Sequence, residues 1–147
     1  MAVSRSATAT WEGNLLEGSG VVSSNTSSHL RDLPVSWAAR TEDAQGRTSP
    51  EELLAAAHAS CYSMSFSSNL AKAGFRAERL EVTSDITFEK QEIGWTVMSS
   101  HLTVRGTVPG ADQAAFDEAA EKARVGCPIS RALQGNVEVI VDATLES

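Results

Sequence analysis

The sequence predicts an α+β fold, organised as a single domain over residues 1–147. Segments in which apolar and polar residues alternate occur near both ends and in the middle of the chain, and this period is typical of half-buried strands. Two longer segments between them carry helical signals. The resulting order is strands, helix, strands, helix, strand. Because the connections are short, this order favours antiparallel pairing.

Three short strands are expected before the first helix. The segment from Val3 to Trp11 alternates, and Gly13-Asn14 is typical of a turn that leads to a second strand from Leu15 to Val22. A third strand is expected from Leu33 to Trp37. Pro34 would place this strand at a sheet edge, because proline has no N–H to donate to a neighbouring strand.

A long helix is predicted from Ser49 to about Ala73. Ser49 can cap its first turn, Pro50 suits the first helical position, and Glu52 can complete a capping box. Gly74 suits the C-terminal cap. Because the helix is rich in small apolar residues on several sides, we expect it to be buried, central and closely approached by other backbone.

The second half of the chain predicts two strands, two helices and a last strand. Alternation indicates strands over Leu80 to Phe88 and Trp95 to Val108. A helix is expected over about Asp112 to Val125. Cys127-Pro128 then opens a short helix that ends at Gly135, and the segment from Val137 to Leu145 forms the last strand.

Composition and charge exclude several partners. The net charge is −7, with 41% hydrophobic and 21% charged residues. Nucleic acids and anionic membranes bind clustered positive charge, so neither is expected as a partner. The longest strongly apolar stretch, Leu53 to Ala57, is far shorter than the roughly 20 residues that span a bilayer. The segment from Met1 to Trp11 lacks the apolar core of a signal peptide, so a cytoplasmic location is expected.

The two cysteines are the candidates for chemistry, because a permanent structural disulfide is not expected in the cytoplasm. Cys127 precedes Pro128 at a helix start, where unpaired N–H groups and the helix dipole favour a thiolate. Packing in a turn is the alternative. Cys61 lies in the middle of the long helix, where simple core packing is the alternative. Local sequence therefore favours Cys127 as the more acidic thiol.

Other reaction centres find little support in the sequence. His58 precedes Cys61 by one turn, which is compatible with a nucleophile–base pair or half a zinc site. The chain has three histidines and neither CxxC nor HxxxH, so a four-ligand zinc site is not expected. There is no G-x-S-x-G motif of a serine hydrolase. We therefore expect no chemical role for His58, and His29 and His101 are expected at the surface.

Charged residues around the start of the long helix also have structural explanations. Glu52 belongs to the capping box, and Glu51 in the first turn interacts favourably with the helix dipole. Arg40 follows an apolar segment and could point inward. Arg31 and Arg47 lie in polar loops and are expected to be solvated.

Two motifs carry a specific signal in combination. They are Thr48-Ser49-Pro50-Glu51-Glu52-Leu53 with the following Ala55-Ala56-Ala57-His58-Ala59-Ser60-Cys61, and Gly126-Cys127-Pro128-Ile129-Ser130. Three shorter segments accompany them: Trp11-Glu12-Gly13, Ala73-Gly74-Phe75 and Val108-Pro109-Gly110. In this combination the sequence resembles the OsmC/Ohr family of peroxide-reducing proteins over essentially its whole length, and the OsmC branch more closely.

The resemblance implies an intertwined homodimer in which antiparallel sheets wrap around long central helices, with two active sites at the interface. It implies a peroxidase for organic hydroperoxides, and less for hydrogen peroxide, that needs no metal, haem or flavin and acts in the stress response. Cys61 would be the peroxidatic thiol and Cys127 the resolving thiol. Glu51 and Arg40 would orient and activate the thiolate, with Arg47 as the rival to Arg40.

Helix geometry bears on this assignment. Glu51 and Cys61 are ten residues apart, which is about 15 Å along one helix. If both serve one site, Glu51 must come from a second chain or the long helices must lie antiparallel, so a dimeric site is expected. A guanidinium there would stabilise a thiolate and hold peroxide oxygens. Tyr62, Met64 and Phe66 would either line the apolar side of the pocket or belong to the core.

In the expected cycle, the Cys61 thiolate attacks the distal peroxide oxygen, releases an alcohol and becomes a sulfenic acid. Cys127 condenses with it to a disulfide, which an external thiol reductant reduces by exchange. The alternative function is a non-enzymatic dimeric protein that binds an apolar ligand at the subunit interface, with both thiols as packing residues. The presence of both thiols together with Arg40 and Glu51 argues against it.

Overall fold

Residues 1–146 are described by a computed structural model, and within them the chain forms six strands and four helices. The chain divides after Leu53 into two units, and each contains a three-stranded sheet. The longest helix begins in the first unit and continues in the second. None of the helices in residues 1–146 has the length and apolar character needed to span a membrane.

The first unit contains a small antiparallel sheet. Its strands are β1 (Ala7–Glu12), β2 (Ser19–Ser24) and β3 (Leu33–Val35), with β2 in the centre. The three strands were predicted, but β1 and β2 each begin four residues later than expected. The turn between them contains Gly13 with φ +90°, a backbone conformation that glycine adopts at little cost.

The predicted C-terminal end of the third strand, Trp37, is wrong. The strand stops at Val35, and a short helix, α1 (Trp37–Thr41), follows. The hydroxyl of Ser36 caps α1 by accepting the N–H of Ala39 at 3.2 Å. Such a cap satisfies a helical donor that an extended chain would have to pair elsewhere. As a consequence, Arg40 lies in the last turn of a helix.

The long helix α2 (Pro50–Lys72) begins and ends where local signals predicted. The Ser49 hydroxyl accepts a hydrogen bond from the backbone N–H of Glu52 at 3.1 Å. At the other end, Gly74 has φ +89°, and the N–H of Phe75 donates to the carbonyl of Leu70 at 2.9 Å. These two features define a Schellman cap, which ends the helix with its last carbonyls satisfied.

The second unit contains the larger sheet, built from β4 (Arg79–Gln91), β5 (Gly94–Thr107) and β6 (Glu138–Glu146). β4 and β5 form an antiparallel hairpin, as expected. β6 lies parallel to β5, so the expectation of antiparallel pairing is wrong for this pair. The chain leaves β5 through α3 (Gln113–Gly126) and α4 (Pro128–Leu133). A helical crossover of this kind returns the next strand in the same direction.

One face of α2 forms the core of the second unit. His58, Tyr62, Phe66 and Leu70, spaced four residues apart, have no exposed surface. Their partners come from β5, the residue that follows it and α3, and they include Leu102, Val104, Val108, Phe116, Ala119, Ala120 and Ala123. The rings of Phe66 and Phe116 meet edge to face with centroids 4.8 Å apart. Tyr62 and Phe66 therefore belong to the core.

The opposite face of α2 is exposed, so the expectation of a fully buried helix is wrong for that face in this chain. Its exposed residues follow helical spacing and include Ala57, Ser60, Met64 and Ser67. Met64 keeps 68% of its surface accessible. Composition alone suggested burial on all sides because small side chains on a helix allow another element to approach closely.

Candidate active site

The two cysteines meet in the second unit as free thiols. Cys61 is half-buried on α2, whereas Cys127 has no exposed surface and lies between α3 and α4. Cys61 packs against the core cluster that contains Cys127, and Cys127 is close enough to affect the pKa of the Cys61 thiol. A small molecule can therefore reach Cys61 from solvent, whereas Cys127 is shielded from solvent and lies near Cys61.

The surroundings of Cys61 within this unit oppose its ionisation. Burial raises the pKa of the Cys61 thiol, and the neighbouring Cys127 raises it further. The backbone N–H of Ile129 donates to the Cys61 sulfur and acts in the opposite direction. The combined effect is a raised pKa. A positive charge near Cys61 would act in the opposite direction and favour the thiolate, which is the nucleophilic form.

Local backbone bonds hold Cys127 at the junction of two helices. Its N–H donates to the carbonyl of Ala123 at 2.8 Å, and its carbonyl accepts the N–H of Arg131 at 2.9 Å. Pro128 occupies the start of α4, where proline needs no hydrogen-bond partner. The predicted short helix after Cys127 is confirmed, although it ends at Leu133 rather than at Gly135.

Arg40 and Glu51 form a bidentate ion pair in the first unit. Arg40 Nε donates to Glu51 Oε2 at 3.2 Å, and Nη2 donates to Oε1 at 2.6 Å. The side chains are 29% and 10% exposed. The Arg40 guanidinium also lies 5.5 Å from the centroid of the Trp37 ring. Arg47, the other candidate, is exposed. The Glu51 carboxylate thus interacts with the Arg40 guanidinium as well as with the dipole of α2.

A largely apolar cavity of about 320 Å³ lies beside this ion pair in the first unit. It is lined by Trp11, Leu15, Val35, Ser36, Trp37, Arg40 and Pro50. Aromatic and aliphatic walls with one charged group are typical of sites for small apolar molecules that carry a polar end. The cavity could hold the organic part of a substrate and present its polar end to a guanidinium.

The structure therefore shows the four predicted site residues as two pairs, Cys61 with Cys127 and Arg40 with Glu51. Among residues 1–146, no group of three or more His, Cys, Asp or Glu side chains is arranged to hold a metal ion.

Sequence reasoning missed a buried polar network around His58. His58 Nδ1 is 2.6 Å from Ser100 Oγ, and Nε2 is 2.8 Å from Ser130 Oγ. Ser100 Oγ in turn lies 3.0 Å from Ser84 Oγ. Burial lowers the pKa of His58 and favours its neutral form. The only signal in the sequence is that His58 and Ser130 belong to the same two motifs as the cysteines.

Known proteins resemble the chain over its whole length. The family model described as OsmC-like protein matches residues 42–142. The chain is 37% identical to Peroxiredoxin OsmC of Escherichia coli (strain K12), with 100% of both chains covered. A solved organic hydroperoxide resistance protein OsmC from Legionella pneumophila superposes with a TM-score of 0.71 at 24% identity, over 95% of this chain and 96% of that one. OhrB of Bacillus subtilis superposes with a TM-score of 0.69 at 23% identity, over 95% and 98%. These two structures show the same fold.

Proposed function

The chain belongs to the OsmC-like protein family, and from this premise we propose that it is a cysteine-based peroxidase that reduces organic hydroperoxides. Its full-length similarity to Peroxiredoxin OsmC supports a peroxidase-type role. The observation that carries the finer proposal is that half-buried Cys61 packs against the core cluster that contains fully buried Cys127.

The difference in exposure supports different roles for the two thiols. A hydroperoxide can approach Cys61 from solvent, so Cys61 is the attacking thiol. Cys127 is inaccessible to the substrate but lies beside Cys61, so it is the thiol that condenses with the oxidised sulfur. This assignment opposes the local sequence preference for Cys127 as the more acidic thiol. Access to the substrate outweighs local acidity, because a thiolate that cannot meet the peroxide does not react.

The Arg40–Glu51 pair is the proposed source of the positive charge that Cys61 requires. The guanidinium would stabilise the thiolate and hold the peroxide oxygens, while the carboxylate fixes the plane of the guanidinium. Because about 15 Å of helix separates Glu51 from Cys61, a second copy of this chain would supply the pair. Exposed small residues on α2 support such a homodimer, since they allow two long helices to approach closely.

The proposed reaction balances with one hydroperoxide per cycle. The Cys61 thiolate attacks the distal oxygen, the O–O bond breaks, and the leaving alkoxide takes a proton to become an alcohol. The product is a sulfenic acid on Cys61. The Cys127 sulfur then displaces this hydroxyl as water and forms the Cys61–Cys127 disulfide. An external dithiol reduces the disulfide by exchange and is itself oxidised.

The decisive experiment adds one equivalent of cumene hydroperoxide to the fully reduced protein and examines it by mass spectrometry without reductant. We expect each chain to lose two hydrogens and the peptide map to join Cys61 to Cys127. The variant Cys127→Ser should stop at a sulfenic acid that dimedone traps, and Cys61→Ser should remain unchanged.

Two outcomes would contradict this proposal. Rapid oxidation of Cys61→Ser together with an inert Cys127→Ser would reverse the roles of the thiols. Untouched thiols in the wild-type protein would favour the alternative function, a non-enzymatic dimer that binds an apolar ligand. The apolar cavity beside Arg40 would then be the first place to look for that ligand.

A further inference from the structure

Cys127 lies between α3 and α4. Each of these helices forms a hydrogen bond with a buried polar side chain of α2 close to Cys61. The Tyr62 hydroxyl donates to the carbonyl of Ala120 on α3 at 2.7 Å. His58 Nε2 is 2.8 Å from the hydroxyl of Ser130 on α4. His58 precedes Cys61 by three positions and Tyr62 follows it directly.

The two helices differ in how many other buried contacts hold them in place. α3 has 14 residues and also packs through several buried apolar side chains. α4 has six residues, and Ser130 is its only buried residue. The hydrogen bond to His58 is thus the principal buried polar contact of the helix that Cys127 begins. On its other side, His58 Nδ1 lies 2.6 Å from the hydroxyl of Ser100 on β5, a strand that does not carry Cys127.

We propose that the His58–Ser130 hydrogen bond is a positioning device for the resolving thiol, which holds α4 so that Cys127 remains beside Cys61. This inference rests on the proposed function for its role in the catalytic cycle. In physical terms, the bond raises the effective concentration of one thiol at the other, because α4 cannot drift away from α2 while the first cysteine is being oxidised. His58 and Ser130 act through Cys127 and do not touch the peroxide.

Ser100→Ala is a matched control for Ser130→Ala. Both variants remove one buried hydroxyl from the same imidazole, but only Ser130 lies on the Cys127 helix. A purely structural network predicts similar behaviour of the two variants. A positioning role predicts that only Ser130→Ala slows disulfide formation, while both variants form the Cys61 sulfenic acid at the wild-type rate.

The test is a rapid-quench experiment with cumene hydroperoxide, in which dimedone traps the sulfenic acid and mass spectrometry counts disulfides. We expect Ser130→Ala to form the disulfide about tenfold to a hundredfold more slowly, the loss that a displacement of about 1 Å can cause. Ser100→Ala should remain within about twofold of wild type. Equal slowing in both variants, or an unchanged rate in Ser130→Ala, would overturn the proposal.

A second measurement is independent of peroxide chemistry. Equilibration of each variant in dithiothreitol redox buffers gives the stability of the Cys61–Cys127 disulfide. Ser130→Ala should favour reduction by about tenfold, or about 30 mV, relative to wild type and to Ser100→Ala. If no sulfenic acid forms on wild-type Cys61, the proposed function fails, yet this equilibrium still decides the positioning role. An unchanged equilibrium in Ser130→Ala contradicts it.

The isosteric pair Ser130→Thr and Ser130→Val keeps the test decisive if Ser130→Ala does not fold. Threonine retains the hydroxyl, so its disulfide should form at nearly the wild-type rate. Valine has almost the same shape without the hydroxyl and should be as slow as predicted for alanine. Equal rates in the two variants would show that the hydroxyl has no positioning role.

Discussion

Arg40 and Glu51 should act as one unit in both stability and catalysis, and a double-mutant cycle can measure this. The cycle uses Arg40→Met, Glu51→Gln and the double variant, with Arg47→Met as the control for an arginine that is exposed and lies outside the pair. Each single change removes both charge-assisted hydrogen bonds while retaining much of the side-chain volume.

The structure sets the expected coupling in stability. Exposed ion pairs contribute about 0–1 kcal/mol, and disruption of a fully buried pair costs about 3–5 kcal/mol. Glu51 is 10% exposed but Arg40 is 29% exposed, so solvent screens part of the interaction. Two bonds at 2.6 and 3.2 Å therefore lead us to expect a coupling energy of about 1–2 kcal/mol. Urea unfolding of the four proteins measures it.

The expected coupling of Arg40 and Glu51 in catalysis follows from the fraction of Cys61 that is present as thiolate. An adjacent cation lowers a thiol pKa by about 1–3 units, so its removal reduces the thiolate at neutral pH by about tenfold to a thousandfold. We expect Arg40→Met to lose kcat/KM by that factor, and Glu51→Gln to lose less because the guanidinium remains. The double variant should equal Arg40→Met, since in the proposed site Glu51 acts only through Arg40.

Cumene hydroperoxide consumption with dithiothreitol as reductant measures these rates. Alkylation of Cys61 by iodoacetamide across a pH range measures the thiolate directly, and its midpoint should rise in Arg40→Met. Arg47→Met should stay within about twofold of wild type in both assays. Additive losses from Arg40 and Glu51, or an equal loss from Arg47→Met, would refute the reasoning.

Three further predictions concern pH, packing and assembly. Burial lowers the folded-state pKa of His58, so below about pH 6.5 the unfolded chain binds more protons. The unfolding free energy should therefore fall as the pH drops from about 6.5 towards 5.5, by at most about 1.4 kcal/mol, and His58→Gln should reduce this slope in urea titrations. Gly106→Ala would place a Cβ 2.8 Å from the Phe116 ring and should cost about 1–3 kcal/mol in the same assay. Gly126→Ala, which meets nothing within 4 Å, should not destabilise the protein. Met64→Glu places a charge on the exposed face of α2 and should weaken the proposed homodimer in sedimentation, whereas an unchanged sedimentation profile would contradict an interface on this face.

Local signals in the sequence determined the central helix and the order of most elements. Ser49, Pro50 and Gly74 mark the ends of α2 because caps use hydrogen bonds between residues only a few positions apart. Alternating polarity located the strands for the same reason, since the side chains of a strand point to its two faces in turn. The thiol pair was predicted from the family resemblance that two motifs carry in combination, although neither motif alone distinguished chemistry from packing.

The tertiary structure decided what depends on contacts between distant segments. β6 pairs in parallel because of the route that the chain takes through α3 and α4, and alternation along a strand carries no information on its direction. His58 meets Ser130 across 72 positions of sequence, so no local pattern distinguished it from a core residue. Likewise, the exposure of Cys61 and the burial of Cys127 follow from packing around both residues. The sequence by itself therefore determined that one thiol lies on the long helix and the other at the start of a short helix. The packing of distant segments decides which of the two remains accessible, because exposure depends on contacts that no local pattern records.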